Sequence, residues 1–200
     1  MATATAPAAR TAAMTADEFQ DWVIRPENRG RWWELDQGRV IEMPPPQAPH
    51  GTLCGWIAHL LWSFAVARGR GRVTTNDTGL IVQENPDTVR GVDVMFFDAS
   101  TPFEKIPVGY EKGRPALVVE VRSPNDRHNP MSLRIAQYLA RGVPLVWVVD
   151  PDDQSVGIHR PGVELPVVAF DDDELTGFDA LPDLRIRVRD LFALPGTPAA

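Results

Sequence analysis

The stretch PALVVEVRSPNDRHNPMSLRIAQYLARGVPLVW, Pro115 to Trp147, reads as an apolar strand, a turn, an amphipathic helix and a second apolar strand. The first strand, Ala116 to Val121, is apolar and β-branched enough to be buried on both faces, yet it carries Glu120 near its C-terminal end. A carboxylate in such a run costs several kcal/mol, in order of magnitude, unless a cation, an arginine or solvent compensates it. An earlier apolar strand, Val92 to Phe97, has the same anomaly at Asp93. Two acids embedded in two apolar strands mark the chemical centre of the chain. For the helix between the strands, Asn129 reads as its cap, Pro130 as its first position and Gly142 as its stop. Arg134 and Tyr138, four residues apart, fall on one helix face with Arg141 close by, where a cation can reach over Glu120.

Working outward, residues 1 to about 13 form an aperiodic Ala/Thr/Pro tail, 14–193 a single domain and 194–200 a second tail. Thr15 to Glu18 reads as a capping box opening a helix to about Val23. Trp32 to Met43 reads as a hairpin turning at Asp36-Gln-Gly38, with Trp33, Leu35, Val40 and Ile41 as its apolar face. A helix follows from Pro49 to about Ala67, then strands near 73–76 and 78–83. Ser100 to Gly113 is a polar loop long enough to be a flap. Further on come a hairpin at 156–160 and 165–169, a last strand at 184–188 and a terminal helix at 189–193. Asp171 to Glu174 reads as a solvated turn. A strand-helix-strand unit flanked by hairpins predicts an α/β (α+β) fold with a mixed sheet between helices.

Two hundred residues with an apolar fraction of 44% support one sizeable core. The net charge of -7 offers no global attraction to nucleic acid, although active-site acids contribute to the same total. The single cysteine, Cys54, excludes an intrachain disulfide, and the longest apolar run is too short to span a bilayer. These features predict a soluble, cytoplasmic protein. His50 and Cys54 are four apart, as metal ligands sometimes are; the plainer reading is a histidine at a helix start and a packed thiol. Arg68-Gly-Arg-Gly-Arg72 is the best basic segment, either a phosphate contact or a solvated helix end.

In order and spacing, several short motifs resemble the Uma-type restriction endonucleases of the PD-(D/E)XK nuclease superfamily. They are Arg90-Gly-Val-Asp93, Val119-Glu120-Val121-Arg122-Ser123-Pro124, Arg134-x-x-x-Tyr138, Gly142-Val143 and Trp147-Val-Val-Asp-Pro151. Upstream, Trp33-Glu34-Leu35-Asp36-x-Gly38, Met43-Pro-Pro and His50 extend the resemblance to about Thr15 through Leu191. It implies a restriction-endonuclease-like fold and a metal-dependent DNA phosphodiesterase. Asp93 and Glu120 would hold Mg²⁺ or Mn²⁺, with the Val121 carbonyl as a third ligand and Glu34 as an additional acid orienting water. Hard oxygen ligands suit those ions.

The sequence departs from that pattern at its lysine. The position two after the glutamate is Arg122, and the usual alternative on the next helix is Arg134; no lysine follows Lys112. Arginine grips a phosphate bidentately but is too basic to act as a general base. Val92 replaces the proline before the first aspartate. An alternative keeps the fold without catalysis: a silent DNA-binding or protein-interaction module, dimeric through a sheet edge. A second alternative, a small-molecule metallohydrolase, is opposed by the lack of clustered histidines. Taken singly, Glu120 also fits a structural ion pair with Arg90, Arg122 or Arg134.

Overall fold

The computed structural model of this chain describes residues 13–123, 131–194 and 196. The expected helix cap at Asn129 and Pro130 lies outside the described residues, as do most of both expected tails. Within them, the strand-helix-strand unit consists of β5 (Leu117–Val121), α3 (Met131–Ala140) and β6 (Val146–Asp150). β5 and β6 run parallel, with Glu120 opposite Val148. Gly142 closes α3 at a φ of 92°, which a side chain resists. Its N–H donates to the Leu139 carbonyl and that of Val143 to Tyr138, both at 3.0 Å.

The remaining strands build around β4 (Thr88–Phe97), whose one edge is covered by β3 (Arg72–Gln83). The other edge is divided. Val89 pairs with Leu35 of β1 (Trp32–Asp36), whereas Val94 to Phe96 pair with Val119 to Leu117 of β5. From Arg90 to Asp93 the sheet therefore forks, leaving backbone groups to be satisfied by something other than a strand. β1 continues through a tight turn at Gln37 and Gly38, both at positive φ, into β2 (Arg39–Met43). Beyond β6 come β7 (Ser155–His159) and β8 (Val167–Phe170), giving an eight-stranded mixed sheet in the order β2-β1-β4-β5-β6-β7-β8 with β3 on β4.

Period-two alternation distributes β5 between two cores. Leu117, Val119 and Val121 pack in the cluster that contains Leu53, Ile57 and Leu61 of α2 (Ala48–Arg68). Val118 packs with Tyr138 and Val143 on the opposite side, which puts Glu120 on the α3 side. A third cluster joins Phe19 of α1 (Ala16–Val23) to Leu35 and Val89. The capping box at Thr15 and Glu18 is present. Helices thus cover both faces of the sheet, as the sequence predicts.

Several local expectations need correction. The two strands expected at 73–76 and 78–83 are one strand with a bulge, because Asn76 and Asp77 both take positive φ (67° and 52°) and skip the register. Ile41 lies opposite Glu34, not on the Leu35 face, since side chains alternate. Glu174 leaves the acidic turn to open β9 (Glu174–Gly177), which pairs with β10 (Leu181–Arg187), and α4 begins at Val188 (Val188–Phe192). The 100–113 loop is anchored rather than free at its end. The Glu111 carbonyl accepts from Ile81, its N–H donates to Gly79, and its carboxylate takes Arg72 at 2.5 Å. No helix among the described residues is long and apolar enough to cross a membrane.

Candidate active site

At the fork, side chains do the work that a strand does elsewhere. The Gly91 N–H donates to Glu34 Oε1 (3.0 Å), the Gly91 carbonyl accepts from Arg134 Nη2, and the Val121 N–H donates to Asp93 Oδ2 (2.7 Å). The backbone amide beside Glu120 is thereby held by the carboxylate of Asp93. Both acids are nearly inaccessible, Glu120 at 3% and Asp93 at 6% exposure, and both line a cavity of about 280 Å³. Glu34, Val121 and Arg134 line it too.

Arg134 reaches this place because α3 crosses over the α3-facing side of β5. Its Nη1 donates to Glu34 Oε1 (2.6 Å) and its Nη2 to Glu120 Oε1 (3.0 Å). Tyr138, one helical turn on, donates its hydroxyl to the same Glu120 oxygen. Arg90, fully buried, donates to Glu34 Oε2 (3.1 Å), to Asp36 and to Gln137 Oε1 (2.8 Å). Of the partners considered for Glu120, Arg134 is the one in place. Arg122 points elsewhere: its guanidinium is 57% exposed and pairs with Asp150 at 3.0 Å, and it does not line the cavity. The basic segment is also engaged, Arg68 and Arg70 with Asp98 and Arg72 with Glu111.

His50, at the start of α2, donates from Nε2 to Asp93 Oδ1 at 3.0 Å, while its Nδ1 is buried without a partner. Sequence reasoning favoured a plain helix-start role for His50. Ligand atoms of His50, Cys54 and Asp93 lie within 4.8 Å of one another. Burial holds the Cys54 thiol far above its usual range. Asp77 was not expected here, and Arg90, weighed only as a partner of Glu120, pairs instead with Glu34 and Asp36. Their signals were a polar Asn-Asp pair inside a strand pattern, which marks a bulge, and an arginine placed where a buried strand begins.

Burial pushes the Glu120 carboxyl up to about 8, against the pull of Arg134. Burial also opposes the charge of Arg134, but Glu120 and Glu34 outweigh it and hold its proton more tightly than usual. The hydrogen bond to Asp93 raises His50, and burial with the nearby Asp93 charge raises Asp77. Among the described residues the fork gathers Glu34, Asp36, Asp77, Asp93 and Glu120 around Arg90, Arg134 and His50. Such a group of acids favours a further cation. The donor set fits a hard divalent ion: Asp93 and Glu120 keep unused lone-pair capacity beside their hydrogen bonds.

A family model described as "Uma2: Putative restriction endonuclease" matches residues 16–189. The chain belongs to this family. The matched span nearly coincides with the stretch over which the sequence motifs resemble it. Among solved structures, one described as "a putative nuclease belonging to DUF820 from Anabaena variabilis" superposes with a TM-score of 0.73. The two are 22% identical, and the match covers 90% of this chain and 97% of that one. The two therefore share one fold over nearly the whole of both chains. No curated protein matches the chain.

Proposed function

We propose that this protein is a metal-dependent endonuclease that hydrolyses DNA phosphodiester bonds, with Mg²⁺ or Mn²⁺ held by Asp93, Glu120 and the Val121 carbonyl. The observation that carries this reading is the convergence of two buried strand carboxylates on one cavity, linked through the Val121 amide. The ion would supply charge neutralisation at the phosphate and a lowered pKa for water. Arg134 is the residue for the phosphate. It lines the cavity, is charged at all working pH, and its Nε–H is buried without a partner. An incoming phosphate oxygen satisfies that donor.

Glu34, expected as the acid that orients water, has both oxygens engaged by Gly91, Arg134 and Arg90. In this reading it is a positioning residue that sets the Arg134 guanidinium over the site. His50 orients Asp93 through the Nε2 hydrogen bond. Arg134 supplies the charge stabilisation otherwise given by a lysine, and an ion held by Asp93 and Glu120 would lower the pKa of water. The test is cleavage of plasmid DNA with Mg²⁺ or Mn²⁺ by the parent beside Glu120→Ala. Nicking that vanishes in the variant and with chelator is expected. Absence of both nicking and Mn²⁺ binding by calorimetry sinks the proposal.

A second reading, a silent nuclease-fold scaffold that dimerises, draws on one observation. The terminal strand β8 exposes Val167, Val168 and Phe170 at an open sheet edge. Sedimentation separates it from the first: a dimer without metal binding favours the scaffold.

A further inference from the structure

The acidic floor of the cavity is only half of it. Its upper wall is made by the β1–β2 hairpin and the segment after it: Trp32, Trp33, Met43 and Pro44 to Pro46. The metal reading gives these residues no task. Alternation along β1 puts Trp32 on the same face as Glu34, and the pairing places Met43 directly across from Trp32. Trp32 thus lies two residues along the strand from Glu34, about 7 Å away, and lines the same cavity as the acids. It is 39% exposed, a large ring with a face available at the mouth of a polar site. Beside it, the Arg31 guanidinium lies 4.4 Å above the Trp33 ring, half-exposed and paired with Glu42 at the rim.

An exposed aromatic face and a rim cation lining one cavity with buried phosphate-directed groups suit a base and its backbone together. The depth of the acids decides which form of DNA fits. Glu120 and Asp93 lie beneath this wall. A base-paired duplex keeps its phosphates on a broad convex surface with the bases stacked inside. An unpaired strand can lower its backbone into the cavity and turn a base outward onto the tryptophan.

We propose that the cavity binds an unpaired DNA strand, with a base stacked on Trp32 and an adjacent phosphate directed between Arg31 at the rim and Arg134 at the floor. This rests on the nuclease reading for the identity of the polymer, but its geometry concerns binding alone. It makes single-stranded or frayed DNA the substrate class, and it assigns Trp32 as a residue that touches substrate without touching the reacting atoms.

The test measures binding in EDTA, so that cleavage and metal binding play no part. Fluorescence anisotropy of a labelled dT12 and of a labelled 12-bp duplex is followed with the full chain, Trp32→Ala and Trp32→Phe. The single strand is expected to bind at least tenfold more tightly than the duplex. Trp32→Ala should lose about tenfold for dT12, in line with one stacked base, and Trp32→Phe should restore most of it. Equal or tighter duplex binding overturns the proposal, as does dT12 affinity that ignores Trp32→Ala. Full competition by free dTMP at equal concentration overturns the strand reading in favour of a mononucleotide pocket. Tight dT12 binding that depends on Trp32, without cleavage in Mg²⁺ or Mn²⁺, sinks the nuclease reading and leaves this one standing.

Discussion

The backbone N–H of Val121 donates to Asp93 Oδ2 at 2.7 Å, across the point where β1 and β5 part along β4. One carboxylate thereby substitutes for a missing strand partner and fixes the position of the residue next to Glu120. Removing it has structural as well as chemical consequences. Asp93→Ala leaves a buried N–H unsatisfied, and His50 loses its acceptor. The expected loss of stability is about 1–3 kcal/mol by urea unfolding, together with loss of Mn²⁺ binding. A variant that keeps full Mn²⁺ affinity would remove Asp93 from the metal site.

Arg134 joins Glu34 and Glu120, both buried, so its loss leaves two carboxylates with less compensation. Arg134→Ala is expected to destabilise by about 3–5 kcal/mol, the range for breaking a buried ion pair by removing one partner. Arg134→Lys retains charge but not the forked geometry, and should recover part of the stability while DNA cleavage stays impaired. Equal cleavage by the Arg134→Lys variant and the parent in a plasmid assay would show that the fork geometry is dispensable.

Glu120 sets a pH dependence whose sign follows from its raised pKa. A folded-state value of about 8 against an ordinary value of 4.5 means that the native state holds the proton longer than the unfolded chain. The contribution is full below the unfolded pKa and is lost as pH rises towards 8. Glu120→Gln removes the titration. The variant should therefore gain in melting temperature relative to the parent between pH 5 and pH 9, most at the alkaline end, even as metal binding is lost. His50, also raised and held up chiefly by its hydrogen bond to Asp93, which the variant retains, moves both proteins in the same direction. A parent-variant difference that is flat with pH contradicts the assignment.

Arg122 stands where the resemblance of the motifs leads one to expect a lysine, yet it is exposed and paired with Asp150. An exposed pair of this kind contributes about 0–1 kcal/mol. Arg122→Ala should leave Mg²⁺-dependent cleavage within about twofold of the parent and stability within about 0.5 kcal/mol. A drop in cleavage of tenfold or more at unchanged stability would return Arg122 to the site.

Local sequence was enough for the strand-helix-strand unit at Pro115 to Trp147, the capped α1, the hairpin turn at Gln37-Gly38 and the anomaly of two acids in apolar strands. These are properties of periodicity and of residue chemistry over a few positions. Asp93 and Glu120 were legible for the same reason, since a carboxylate in a buried run conflicts with its surroundings wherever the run ends up; Glu34, in a hairpin where an acid is ordinarily solvated, was marked only by the resemblance of the motifs. Three things were decided by tertiary structure alone. The exclusion of Arg122 is one: helix spacing already put Arg134 on a face able to reach Glu120, but only the packing shows that the Arg122 side chain turns out to Asp150. His50 meets Asp93 because α2 packs with its N-terminus at the fork, 43 residues away in sequence. The fork itself arises only when β1 and β5 divide a single edge of β4, a relation among three strands that no local pattern encodes.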